Sequence, residues 1–503
     1  MTLPTTLAQA TIPRWFWPLL IGLNFLLHLP TFQLPPVALH VWRQCNTMAV
    51  ARNFYEEDMN ILKPRVDRRN ATDGVTGMQF PSYEWVTAVG YKAIGFHEWW
   101  PRVLNWLFYM AGVVAFYGLV KRVSGQAATA ALGAWCFAWS PELYYHGANA
   151  LPDVLALTAS IAGLYWFSQW RDAPRPLPLL LSLLAVTLGG LTKLQFLAVG
   201  FPIAVFVVRD LLQRRYSGAQ VAQLFFYALV AVGVPLLWYR YALELIQASG
   251  LADFGLEFRP AADLSAGLAI LSHNLVSDVP EVLLGYVPLA LTLAGVWRLL
   301  RHRAARHPWF LPGVAWSLAL AAYYFIELRQ MKHHTYYMLP LLPVLLVLAA
   351  WGGAWLWRLP KARPWVFALL LLQPALTFAR ISWPRWLHNG PEELSELFPA
   401  TTRAELEAAT PSGALCLVGP DDSGCIAFYM LHKKGFGFDQ SDQLFAATPT
   451  GKPYVANCID KGARYLYIRD TTVVHDQRLR PYLHQKLKQV GLFSVWSLQA
   501  AKP

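Results

Sequence analysis

Long apolar runs separated by short polar loops fill the first three quarters of the chain. They fall at roughly 15–34, 101–120, 127–143, 151–170, 177–191, 194–208, 221–239, 281–297, 310–326, 337–357 and 365–379. Helices of such composition suit a hydrocarbon core ~30 Å thick, which about 20 apolar residues cross. Between the first two runs, segment 35–100 is polar and aromatic. Apolar positions recur there at helical spacing from Thr47 to Tyr55 and from Tyr83 to Ile94. The second of these is expected to turn Trp85, Val86, Val89 and Tyr91 toward the membrane. From residue 381 the pattern changes. Pro391-Glu392-Glu393 is expected to open a short helix, and strand-like runs follow at Ala414–Val418, Ala463–Ile468 and Leu492–Leu498. Helical stretches are expected at Cys425–His432 and Arg480–Val490. The expected fold is mainly α: a polytopic transmembrane bundle of about eleven spans over 1–380, including the outer loop 35–100. A small external α/β domain over 381–503 completes it.

Composition supports the same reading. Of 503 residues, 55% are hydrophobic and only 14% charged, too few to solvate a globular surface, which uses about 25%. The net charge of +12 raises the question of a nucleic-acid partner. Its distribution removes that need. Fifteen basic residues crowd alternate loops, from Arg14 through Lys121, Arg122, Arg171 and Arg209 to Arg363, against Asp172 and Asp210 alone. This asymmetry is the positive-inside pattern of a multi-pass protein of the cell (inner) membrane. It predicts a cytoplasmic N-terminus and an external, periplasmic C-terminal domain, with membrane lipids rather than nucleic acid as surroundings. The first run has no small-residue cleavage site after it and reads as a retained helix. Among five cysteines, Cys416, Cys425 and Cys458 share the tail, where one pair could form a disulfide that the sequence does not choose.

Four polar clusters punctuate the outer side. His40, Arg43, Gln44 and Asn46 crowd the start of the first outer segment. Trp42 and Arg43 alone would pass for an interfacial belt, but the remaining polar residues would not. Asp153, in Leu151-Pro152-Asp153, opens a span, where it can cap the helix or do chemistry. Lys193 follows Gly190-Leu191-Thr192 and can snorkel or meet a phosphate. Lys332, His333, His334, Tyr336 and Tyr337 form the fourth cluster. Adjacent histidines lack the spacing of a zinc site, and bunched cations and phenols suit a phosphate better. A phosphate-friendly site at the outer boundary of a helix bundle points to a lipid-linked phosphate substrate.

Taken in order, Trp42-Arg43-Gln44, Ala51-Arg52-Asn53-Phe54-Tyr55, Pro64-Arg65-Val66-Asp67, Phe80-Pro81-Ser82-Tyr83, Pro101-Arg102, Leu151-Pro152-Asp153, Gly190-Leu191-Thr192-Lys193 and the Lys332–Pro340 stretch resemble the GT-C glycosyltransferases. The likeness is to bacterial relatives of protein O-mannosyltransferases and of the lipid A aminoarabinose transferase. It implies a polyprenyl-phosphate-linked sugar as donor, a lipid, glycan or protein acceptor on the outer face, and inversion at the anomeric carbon. It also implies a carboxylate as base, cations on the departing phosphate and, in some members, a divalent metal. This chain carries Asn46 and Gln79 where those relatives carry acids. An amide positions a hydroxyl but is a poor base. Either Asp67, Glu84 or Asp153 takes over, or transfer is altered or lost. A transporter or flippase of lipid-linked sugars, or a non-catalytic glycan-assembly protein, are the rival classes; a transporter would carry its site near the midplane, with repeats and broken helices.

Overall fold

The computed structural model describes residues 12–251, 259–301, 306–388, 394–470 and 472–500. The chain divides into two compact units. The first comprises 1–33, 99–240 and 256–387; the second comprises 34–98, 241–255 and 388–503. The outer segment therefore clusters with the C-terminal segment and not with the helices that flank it in sequence. A single cut at 380 does not describe this arrangement.

Every expected apolar run of the first unit lies mainly on helix. Among the described residues, five helices are long and apolar enough to cross a membrane: 99–124, 194–212, 218–249, 335–357 and 363–387. A sixth candidate is a bent pair, 264–284 and 286–301, which turns by 112°. The break falls at Gly285, whose φ of +76° suits a residue without Cβ. Shorter apolar helices cover Phe16–Phe32, Ala127–Ala138, Pro176–Thr192 and Phe310–Ile326, and Asp153–Asp172 forms a further helix. The third run ends earlier than expected. Its helix stops at Ala138, and Pro141 starts a separate short helix, Pro141–His146, that carries Glu142. Close backbone approach sets some of the packing. A Cβ on Gly295 would lie 2.1 Å from the Leu348 carbonyl oxygen, and one on Gly352 would lie 2.0 Å from that of Leu291. Small residues let helices in a bilayer gain dispersion energy where the hydrophobic effect offers none.

The second unit holds a five-stranded sheet: β1 (Leu415–Gly419), β2 (Lys434–Gly437), β3 (Tyr465–Ile468), β4 (Leu483–Val490) and β5 (Phe493–Leu498). The order is β2-β1-β3-β5-β4. The first three strands are parallel, and β5 and β4 add on antiparallel. Leu417, Phe436, Phe438, Val455, Leu466 and Ile468 form its core. The three expected strands are present, as is the helix expected at Cys425–His432, which spans Ile426–Leu431. The helix expected over Arg480–Val490 is a short turn followed by β4. Leu483, Leu487 and Val490 mimic a helical period, but pairing with β5 decides the conformation. The opening at Pro391-Glu392-Glu393 lies outside the described residues.

Two helices of the outer segment, Val41–Glu56 and Ser82–Ile94, also stand where the periodicity puts them. Their predicted membrane face differs in part. Tyr91 is fully buried, and Trp85 packs on a cluster of Val50, Phe54, Val66, Met78, Ala88 and Leu251 while its indole donates to the Met59 carbonyl (2.9 Å). Val89 is exposed. None of the five cysteines, all of them among the described residues, is joined in a disulfide.

Candidate active site

In the first unit, Asp153 is the first residue of its helix, set by Pro152, and is 1% exposed. Lys193 ends helix Pro176–Thr192 in an extended conformation that swings its side chain off the helix axis. The two meet: Nζ of Lys193 lies 2.7 Å from Oδ1 of Asp153. The same ammonium sits 4.9 Å and 4.8 Å from the ring centroids of Tyr336 and Tyr337. Tyr337 is held in turn by Tyr323, whose hydroxyl donates to the Tyr337 carbonyl (2.9 Å). His334 stacks on Tyr336 at 5.6 Å. A buried cation is thus enclosed by one carboxylate and two aromatic faces, which offset its desolvation.

The carboxylate itself is less fully engaged. Oδ1 of Asp153 is engaged by the Lys193 ammonium at 2.7 Å, and Oδ2 has no hydrogen-bond partner among the described residues. An expected helix cap is not formed either: no side chain caps this helix.

Beside this group lies a second one that the sequence reading absorbed into an apolar span. Glu142 is fully buried; its Oε1 takes a hydrogen bond from Thr335 Oγ1 (2.5 Å) and pairs with His146 Nε2 (2.7 Å). Its Oε2 stands 3.9 Å from Arg385. His146 meets the Tyr336 ring edge-on at 5.5 Å. Glu142 therefore ties down the start of the segment that presents Tyr336 and Tyr337. The available signal was an ionisable residue in an apolar stretch, with a histidine four residues on.

Lys332 and His333 end the short helix Leu328–His333 with their side chains exposed, outside this packed group.

In the second unit, Asp67 is 2% exposed and fully engaged. Arg52 Nη2 donates to Oδ2 (2.9 Å), and Asn53 Nδ2 donates to Oδ1 (2.9 Å). Arg52 also donates to the Tyr429 carbonyl (3.1 Å), so the group ties the outer segment to the C-terminal helix within this unit. Gln79 Nε2 donates to Glu84 Oε1 (3.2 Å), and Glu84 is fully buried. His40 takes a left-handed conformation (φ 61°) where helix Val41–Glu56 begins. Gln44 donates to the Val37 carbonyl (3.0 Å), which folds the entering chain back on the helix. Arg43 and Asn46 are buried on its first turns. Among the described residues, no three His, Cys, Asp or Glu side chains are grouped to hold a metal ion. The donor set agrees: Asp153 faces an ammonium, and Asn46 and Gln79 are amides, while hard cations prefer several carboxylates.

Comparison with known proteins follows the same line. A family model described as dolichyl-phosphate-mannose-protein mannosyltransferase matches residues 79–239, a stretch that contains Gln79, Glu84, Asp153 and Lys193. No curated protein sequence matches the chain. Among solved structures, ArnT from Cupriavidus metallidurans bound to undecaprenyl phosphate is 14% identical, with a TM-score of 0.66 over 96% of this chain and 98% of that one. The archaeal oligosaccharyltransferase AglB from Archaeoglobus fulgidus, in complex with an inhibitory peptide and a dolichol-phosphate, is 12% identical. Its TM-score is 0.55 over 90% of this chain and 69% of that one. The arabinofuranosyltransferase AftD from Mycobacteria is 16% identical, with a TM-score of 0.59 over 97% of this chain but only 42% of its own. The chain thus shares the fold of these solved structures, and its residues 79–239 match the mannosyltransferase family model, in the direction the motifs point.

Proposed function

We propose that this protein is a multi-pass membrane glycosyltransferase that moves a sugar from a polyprenyl-phosphate donor to an acceptor on the outer face of the membrane. Its topology in this reading has about eleven spans, a cytoplasmic N-terminus and an external C-terminal domain. The observation that carries the reading is the buried Asp153–Lys193 pair beneath Tyr336 and Tyr337, with Oδ2 of Asp153 open.

The chemistry follows from charge. In an inverting transfer the acceptor oxygen bonds to the anomeric carbon as the bond from that carbon to the phosphate oxygen breaks. The acceptor proton passes to Asp153, and the phosphate leaves with the electron pair. The Lys193 ammonium lies 2.7 Å from Oδ1 of Asp153 and balances the carboxylate charge. Once Asp153 takes the proton, the pair changes from neutral to singly positive as the phosphate gains negative charge. Lys193 thereby becomes available to the leaving group at the step that needs it. Lys332 and His333, exposed on the next segment, add cationic surface for the phosphate, and Tyr336 and Tyr337 wall the site. In the second unit, His40, Arg43, Gln44, Asn46, Gln79 and Glu84 serve substrate binding in this reading. Asp67 keeps that unit in shape.

Transport and non-catalytic assembly are not favoured, because the family matched and the structural neighbours are those of glycosyltransferases. The test is incubation of the purified full chain with a panel of labelled polyprenyl-phosphate sugars and membrane extracts. Transfer of label to an acceptor supports the proposal. Donor binding or movement across vesicles without any transfer removes it.

A further inference from the structure

Between helices 99–124 and 153–172 the first unit opens into a cavity of about 1000 Å³, at the end of the bundle that carries the basic loops. Its walls carry residues at helical spacing, several of them small. Ala111, Ala115 and Gly118 lie on one helix, and Thr158, Ala162 and Tyr165 on the other. Gly118 is placed against Tyr165: a Cβ there would lie 2.7 Å from the ring. Trp17, Trp166 and Trp309 complete the rim with the aromatic residues that favour a headgroup boundary.

The mouth has a different character. Lys121, Arg122, Arg171 and Asp172 line it, three cations to one carboxylate. Arg122 pairs with Asp172 and donates to the Ser168 carbonyl (2.9 Å). Arg171 donates to Asp210 (3.0 Å). Lys121 is exposed, and no carboxylate stands within ion-pair distance of it among the described residues. A slot with apolar walls and a net positive end fits a molecule with an apolar tail and one anionic head. Length discriminates further. From Ala111 to Lys121 the helix rises about 15 Å, which is half of the ~30 Å hydrocarbon core. That is the reach of a chain confined to one leaflet.

From this geometry we infer that the groove is a binding site for an anionic phospholipid, one acyl chain lying on Ala111, Ala115 and Gly118 and the phosphate resting against Lys121 and its neighbouring arginines. The site is separate from the Asp153 group and does not depend on the transfer reaction. Basic pockets between spans at a basic membrane face are a recurrent means of holding such headgroups.

The experiment is native mass spectrometry of the full chain, purified in detergent and offered dioleoyl phosphatidylglycerol, dioleoyl phosphatidylcholine or glycerol phosphate. The parent is expected to retain phosphatidylglycerol roughly tenfold better than phosphatidylcholine, in line with a few basic residues acting on one charge. Lys121→Glu should abolish most of that preference while leaving phosphatidylcholine retention and the melting temperature unchanged. Ala115→Leu, which fills the slot without touching a charge, should lower retention of both lipids. Equal retention of the two lipids by the parent, or an unchanged preference in Lys121→Glu, would overturn the inference. Displacement of the lipid by glycerol phosphate alone would also overturn it, since the site would then hold a free phosphate.

Discussion

Two buried aspartates, one in each unit, carry opposite lessons. Asp67 has a guanidinium on one oxygen and an amide on the other. Asp153 has an ammonium beside one oxygen and nothing on the other among the described residues. Both are equally hidden from water, at 2% and 1% exposure, so burial does not separate them. What separates them is the lone pairs left over. A carboxylate held by a donor on each oxygen is a structural tie, because accepting a proton would weaken the bonds that hold it. One with an open oxygen beside a single cation can accept a proton and keep its neighbour. The sequence leaves Asp67, Glu84 and Asp153 open as the base; in the proposed reading Asp153 takes that role and Asp67 is a structural tie.

The comparison can be broken at several points, in decreasing order of expected effect on stability. Asp67→Ala leaves the buried Arg52 without its paired carboxylate, holding the Tyr429 carbonyl and ring, and should cost ~3–5 kcal/mol in the second unit. Thermal melting in detergent would measure this; loss of less than about 1 kcal/mol would mean the tie is not structural. Lys193→Met strands Asp153 in the same way in the first unit. Its cost should sit near the lower end, ~3 kcal/mol, because Asp153 stands at a helix N-terminus that relieves part of the charge. Transfer should fall with it, since no ammonium then stands beside Asp153 to meet the departing phosphate. Glu142→Gln keeps an oxygen for Thr335 but removes the charge facing His146 and Arg385, a loss of about 1–3 kcal/mol. Its effect on donor binding should exceed its effect on acceptor binding, because it loosens the Tyr336–Tyr337 segment.

The smallest effect concerns pH. Burial works to raise the Glu57 pKa, but bonds from Arg69 and Lys434 outweigh it and hold the carboxyl below its ordinary range. A depressed folded value means that its contribution is present above the ordinary carboxylate range and is lost as pH falls through the folded value. The second unit should therefore lose about 1 kcal/mol from this group on acidification, an effect that Glu57→Gln should remove. A pH–melting series on parent and variant would show whether the two curves converge at low pH as expected.

Much of the fold was legible because apolar runs of membrane length have few alternatives. Ten of the eleven runs lie mainly on unbroken or bent helix and the eleventh, 127–143, is split in two, and the clearest errors fall where a local signal was outvoted. The run at 127–143 hid the break before Pro141 because Leu143, Tyr144 and Tyr145 extend its hydrophobicity. Strand β4 looked helical from Leu483, Leu487 and Val490, and only the pairing partner β5, which the local pattern does not encode, reveals it. The site was half legible. Asp153, Lys193, Tyr336 and Tyr337 stood out one by one, as ionisable or aromatic residues at span ends. That Lys193 enters a box built by three separate helices depends on tertiary packing across 40 and then 143 residues of chain. Glu142 was missed for the same reason that it is informative: it is a charge where the pattern reads apolar.

The central claim is that Asp153, and not Asp67, accepts the proton. Its most direct test is the single-turnover rate of sugar transfer by Asp153→Asn, measured on protein whose melting temperature matches the parent. The amide preserves shape and neutral contacts but cannot act as a base, so the rate should fall by about 10²–10⁴-fold, with donor-lipid affinity changed far less. A well-folded Asp153→Asn protein that transfers at the parent rate would contradict the account.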